Sequence, residues 1–113
     1  MAAVYVNNLV INSGSDFSQT FTLEDPTTNS FYDLSLYAVS SQLRKWAGSS
    51  TAINFDAVIE IPLEGKINIS LTNEQTSLLK PGRYVYDVVI TDTGGQKSKV
   101  IEGMALVREG VTR

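Results

Sequence analysis

The sequence predicts an all-β fold: an antiparallel β-sandwich of about seven strands with one short helical turn, built as a single domain over residues 1–113. Three observations carry that expectation. Apolar residues recur with a period of two in one run after another, and the runs are separated by clusters of glycine, proline and serine. Helical punctuation occurs in one segment only, at Thr72 to Leu79. That segment leads into Pro81-Gly82-Arg83-Tyr84-Val85-Tyr86, which has the form of the corner in a sandwich where a tyrosine hydroxyl ties the chain back to nearby backbone. The predicted sandwich is therefore immunoglobulin-like.

The first strand spans Val4 to Ile11 and is apolar on both faces, with Tyr5, Leu9 and Ile11 opposing Val4, Val6 and Val10. Phe17, Phe21 and Leu23 mark the second strand, with Ser18, Thr20 and Thr22 on the wet side. In the third, Tyr37, Val39, Ser41 and Leu43 share a face opposite Ser40, Gln42 and Arg44, and the strand stops at Ala47-Gly48-Ser49-Ser50. Ile53, Phe55, Ala57, Ile59 and Ile61 alternate with polar residues, out of step only at Val58, and form a hairpin with Ile67, Ile69 and Leu71 through the turn Pro62-Leu63-Glu64-Gly65. Thr72 and Gln75 have capping-box spacing, so a short helix near Asn73 to Leu79 should cross from one sheet to the other, ended by Pro81-Gly82. Tyr84, Tyr86, Val88 and Ile90 line the next strand, which turns at Asp92-Thr93-Gly94-Gly95. The last strand runs from about Lys99 to Val107, with Ile101, Gly103, Ala105 and Val107 expected inward and Val100, Met104 and Leu106 outward around Glu102.

A chain of 113 residues, 42% hydrophobic and 19% charged, buries roughly two-thirds of its unfolded surface and needs no metal or disulfide to fold. It has no cysteine, which removes thiol nucleophiles, iron–sulfur clusters and thiolate zinc sites. It has no histidine either, so the usual base of hydrolytic mechanisms is missing. A formal charge of −3 is the wrong sign for a domain that binds nucleic acid or an anionic membrane. The N-terminus lacks a positive segment followed by an apolar core, so no secretory signal and no membrane span are expected.

Few residues are left to carry chemistry. Glu24, Asp25 and Asp33 form the nearest acidic cluster, but turn residues surround them, and Asp92 likewise reads as a turn residue. Asp87 interrupts an apolar strand and has Arg83 or a cation on a neighbouring strand as prospective partners. Arg44 and Trp46 fall on one side of a strand, the composition for stacking a sugar or for a cation–π pair. The two-faced terminal strands are the anomaly. In a two-layer sandwich nothing remains to cover their second face, so Val100, Met104 and Leu106, joined by Val4 and Val6, are the candidate oligomer interface.

Asp33-Leu34-Ser35-Leu36-Tyr37, Gln42-Leu43-Arg44-Lys45, Leu71-Thr72, Pro81-Gly82-Arg83-Tyr84-Val85-Tyr86-Asp87-Val88, Ile101-Glu102-Gly103 and Val111-Thr112-Arg113 together resemble short virion structural proteins of tailed phages, cyanophages among them, related in pattern to the immunoglobulin-like N-terminal domain of phage baseplate upper proteins. The resemblance covers the chain from about Ile11 onward, and the Pro-Gly-x-Tyr-x-Tyr-Asp-Val run is its most specific part. Trp46, Met104 and Leu106 depart from it, standing where smaller or more polar residues are expected. It implies a non-enzymatic virion structural protein of the bacteriophage tail or baseplate, acting through protein–protein contacts with other virion proteins and with copies of itself. It implies no cofactor and no catalytic residues, and a chain made in the host cytoplasm that ends in the virion. The alternative is an immunoglobulin-like module for host-surface carbohydrate, contacting its ligand through Trp46 and Arg44.

Overall fold

The computed structural model describes residues 5–25, 30–50 and 52–111. In chain order these form β1 (Tyr5–Val6), β2 (Leu9–Asn12), β3 (Phe17–Thr22), β4 (Glu24–Asp25), β5 (Ser30–Phe31), β6 (Ala38–Arg44), β7 (Ala52–Asn54), β8 (Asp56–Ile61), β9 (Lys66–Leu71), α1 (Asn73–Ser77), β10 (Gly82–Thr91) and β11 (Lys97–Arg108). Two sheets make the layers. The larger runs β1, β11, β10, β6, β7, with β2 also on β11, and the smaller runs β3, β9, β8. The pair β4–β5 is a separate small hairpin. Counting β1 with β2 and β7 with β8 as broken halves of single runs, and leaving out that hairpin, the sandwich has the strand arrangement of an immunoglobulin-like fold.

The breaks have local causes. At Phe55 the chain leaves the large sheet, where β7 pairs β6, and enters the small one, where β8 pairs β9. The alternation of side chains continues through the crossing, which is why the sequence reads as one strand. The Phe55 ring is buried between the layers, 6.0 Å from Phe17 of the small sheet and 6.2 Å from Tyr86 of the large one. Around it Ile67, Ile69, Leu43, Val88 and Ile101 complete a continuous core. The β8–β9 hairpin turns through a single 3₁₀ turn, Pro62–Glu64, and Gly65 closes it at φ 65°.

The capping box forms as the spacing predicts. Thr72 accepts from the Gln75 N–H at 3.2 Å while the Gln75 side chain accepts from the Thr72 N–H at 2.9 Å. The helix is pinned by Thr76, which is fully buried: its hydroxyl donates to the Ser15 carbonyl at 2.8 Å and accepts from the Gly14 N–H at 3.0 Å. A corner bond follows, with the Tyr84 hydroxyl donating to the Lys80 carbonyl at 2.8 Å.

Two expectations need correction. The sandwich is not antiparallel throughout, because β1 and β2 both run parallel to β11. Val100 is not outward but completely buried. Its neighbour Ile101 opposes Val88 while Lys99 opposes Val89, so Val100 is the extra residue of a β-bulge and both apolar side chains enter the core.

Candidate functional site

The outer face of the large sheet is built from the side chains that the bulge and the strand registers leave wet. Three rows cross it. Leu106 of β11 lies between Val10 of β2 and Arg83 of β10. In the next row Met104 opposes Val85, and Val85 opposes Arg44 of β6. In the third, Glu102 lies between Val6 of β1 and Asp87, and Asp87 opposes Gln42. An open concavity of about 620 Å³ covers parts of the second and third rows, lined among others by Val6, Arg44, Val85, Asp87, Glu102 and Met104.

The bulge decides the electrostatics of this face. In a regular strand, residues three apart point to opposite sides. The extra residue at Val100 brings Lys99 to the same side as Glu102, and its Nζ lies 3.3 Å from Glu102 Oε1 and 3.9 Å from Asp87 Oδ2. All three side chains are well exposed, so these pairs contribute less than about 1 kcal/mol each. Arg44 is held from two sides: Nη1 donates to the Ser49 carbonyl, and Nη2 to Gln42 Oε1 at 3.0 Å. Gln42 in turn donates to Asn54 at 2.9 Å. The guanidinium thus braces the turn after β6.

The sequence-predicted site residues divide on this geometry. Val6, Met104 and Leu106 are exposed on one face, Val100 is in the core, and Val4 lies outside the described residues. Val10 and Val85 join the first three on that face; the apolar alternation of their strands is the signal for them. Trp46 is 61% exposed on the turn after β6 and does not line the concavity. The cation–π pair in this region belongs to Lys45, whose Nζ sits 4.7 Å from the centre of the Tyr84 ring, and not to Arg44 or Trp46. Asp87 meets Lys99 rather than Arg83. Asp33 accepts from the Ser35 hydroxyl and N–H, which hold its carboxyl below the usual carboxylate range. Asp92 accepts from the N–H groups of Gly94 and Gln96, both at 2.9 Å, as a turn residue does. Among the described residues no group of acidic side chains is placed to hold a metal ion. No helix among them is long and apolar enough to cross a membrane.

The edge of the face is secured from beneath. Between β1 and β2, the Asn7 N–H donates to the Glu102 carbonyl at 3.0 Å and the Asn8 side chain accepts from the Met104 N–H at 3.0 Å. The buried Tyr86 hydroxyl donates to the Asn7 carbonyl. Desolvation pushes this phenol from 10.0 up to about 12. Because the folded state favours the neutral form, that contribution is intact below pH 10 and is lost as pH rises toward about 12. Tyr86→Phe is expected to cost about 1–2 kcal/mol at neutral pH by leaving the Asn7 carbonyl unpaired. Urea melts across alkaline pH should show a shallower fall above pH 10 in the variant, and identical profiles would refute the assignment.

No family model and no curated protein sequence matches the chain. Solved structures do match its fold. The N-terminal domain of phage TP901-1 ORF48 is similar with a TM-score of 0.56 at 10% identity, over 94% of this chain and 97% of that one. A family 123 glycoside hydrolase from Clostridium perfringens gives 0.53 at 14% identity, over 96% of this chain but 24% of that one. The SrpA adhesin R347E mutant from Streptococcus sanguinis gives 0.51 at 12% identity, over 96% of this chain and 56% of that one. The chain thus shares its fold with a phage domain matched nearly from end to end, and with parts of larger bacterial proteins.

Proposed function

We propose that the chain is a non-enzymatic structural protein of a phage virion, a component of the tail or baseplate that acts through protein–protein contacts made by the outer face of its large sheet. One observation carries this reading: Val6, Val10, Met104 and Leu106 are between 43% and 73% exposed on adjacent strands of one face. Full burial of an exposed side chain of this kind returns roughly 1.5–3 kcal/mol, and a partner covering these four would gain the share, about half, that their remaining exposure represents. Side chains in register on one face favour a partner in a way that scattered ones do not. The end-to-end likeness to a phage domain supports the setting, as does the Pro81 to Val88 run.

Mass spectrometry of purified particles of the encoding phage tests the reading. The expected result is the chain in the particle at a fixed ratio to the other tail components. Its presence in the infected-cell lysate and absence from the particles would overturn it. The carbohydrate-module alternative rests on Trp46 alone once Arg44 is engaged by Ser49 and Gln42.

A further inference from the structure

We infer that the free edge of the small sheet, strand β3, takes a second copy of the chain, pairing antiparallel with that copy's β3 about a two-fold axis that passes between the two Thr20 residues. The inference goes beyond the outer face of the large sheet, since the edge lies in the other layer and uses none of that face's apolar side chains.

The phase of the backbone makes the edge. The Leu23 N–H donates to the Gly65 carbonyl, which continues the β3–β9 register by one directly opposed pair beyond Thr22 and Lys66. Hydrogen-bonded pairs alternate along an antiparallel ladder, so Phe17, Gln19 and Phe21 are bonded to β9, while Ser18, Thr20 and Thr22 turn their N–H and C=O groups the other way. No strand pairs on that side. Among the described residues these outward groups make one hydrogen bond, from the Gln19 side chain to the Thr20 carbonyl at 3.3 Å. The Asn68 amide holds the Ser18 and Thr20 hydroxyls on the outer face, at 2.8 and 3.2 Å, which leaves the backbone row clear. An open concavity of about 260 Å³ lies between β3 and β1, so the other layer does not cover the row.

An unpaired row of this kind is a template for another strand, and proteins ordinarily blunt it with charge, proline, a bulge or shortness. The other edges here are blunted: β1, β2 and β7 have two, four and three residues, and β8 opens on Asp56 and carries a bulge at Glu60. β3 has six residues, with no charge, no proline and an unbroken register. The phase also selects the occupant. Centred on Thr20, antiparallel self-pairing sets Thr20 against Thr20 and Ser18 against Thr22, so each outward N–H and C=O of one copy meets its complement on the other. The Gln19 amide gives up its long bond for this. On the outer side hydroxyl residues meet hydroxyl residues, a favourable cross-strand pairing. On the inner side Gln19 comes beside Phe21 of the other copy, and Phe17 beside Leu23. The ends carry a cost, because Asp16 falls opposite the other copy's Glu24. Asp16 is turned back to the Asn73 N–H at 2.7 Å and Glu24 has left the sheet to pair with Phe31, so this repulsion weakens the contact without blocking it. The contact is isologous, closes at two copies and leaves no β3 edge over.

Sedimentation equilibrium of the whole chain and its Thr20 variants tests this. The unmodified chain should dimerise. Thr20→Pro removes an N–H that β9 does not use, so circular dichroism should stay unchanged while the dimer is lost. Thr20→Lys and Thr20→Glu each set like charges directly opposite at the axis, and each should weaken association about tenfold. An equimolar mixture of those two sets lysine against glutamate and should dimerise at least as well as the unmodified chain. That recovery requires Thr20 to face Thr20, and a folding defect could not produce it. A chain that stays monomeric at every soluble concentration overturns the inference, as does a dimer indifferent to Thr20→Pro or a mixture no better than its components. A monomeric chain that is nevertheless present in purified particles sinks the dimer and leaves the virion reading standing. A dimer absent from particles does the reverse.

Discussion

Replacing Gly103 with alanine is expected to destabilise the protein by about 3 kcal/mol or more, a large effect for a single methyl group. An added Cβ would lie 2.2 Å from the Asn7 carbonyl oxygen and 2.8 Å from its carbon. Both are backbone atoms, so no side-chain rotation relieves the overlap. Asn7 cannot simply withdraw, because its N–H is bonded to Glu102 and its carbonyl receives the buried Tyr86 hydroxyl. The cheapest escape is to detach β1 from β11, which moves Val6 away from the outer face. The variant should therefore lose both stability in urea melts and any self-association that uses Val6. A loss below about 1 kcal/mol would mean that the Asn7 turn is plastic.

Gly65→Ala should cost a comparable amount, about 3–4 kcal/mol, from two causes that add. At φ 65° any residue with a Cβ is strained, and this Cβ would also lie 2.4 Å from the Leu23 carbonyl oxygen and 2.9 Å from that of Tyr32. The Leu23 carbonyl cannot move freely, because it accepts from the Tyr32 N–H while the Leu23 N–H donates to the Gly65 carbonyl. Gly95 provides the comparison: at φ 85° it has nothing within 4 Å of the place a methyl group would take. Gly95→Ala should show the conformational penalty alone, about 1–2 kcal/mol. Thermal or urea unfolding of the two variants side by side separates strain from collision, and equal losses would show that Leu23 and Tyr32 move aside freely.

What is legible in the sequence is whatever depends on neighbours. The Lys66–Leu71 strand alternates without error, Pro62 and Gly65 mark the turn before it, and Thr72 with Gln75 announces the helix; all three stand where the pattern puts them. The fold class follows from such signals because each strand meets the core on one side only. Val100 shows the limit. Two consecutive apolar residues fit a regular strand with one side chain out as well as a bulge with both in, and the choice is made by the pairing with Val88 and Val89 on another strand. The parallel docking of β1 and β2 on β11 is likewise a long-range fact with no local signature. For the site, Met104, Leu106 and Val6 are legible as apolar residues on the wet side of an alternating strand. The Lys99 pairs are not, since without the bulge Lys99 and Glu102 belong to opposite faces.

The parallel docking has a consequence for how the chain acquires its structure. Tyr5 pairs with Ile101 and Leu9 with Ala105, so the first strand of the large sheet completes its hydrogen bonds only on the last one. On a ribosome, which releases the chain from its N-terminal end, β1 and β2 wait through the synthesis of every other element before their template exists. The β8–β9 hairpin and the capped helix form from neighbouring residues, whereas closure of this edge must gather nearly the whole length of the chain and is correspondingly slow. Until then Leu9 and Ile11, both core residues in the finished fold, have no sheet to enter. That edge of the large sheet therefore closes only after β11 has been made, and the strands that present Val6 and Val10 are among the last parts to take their place.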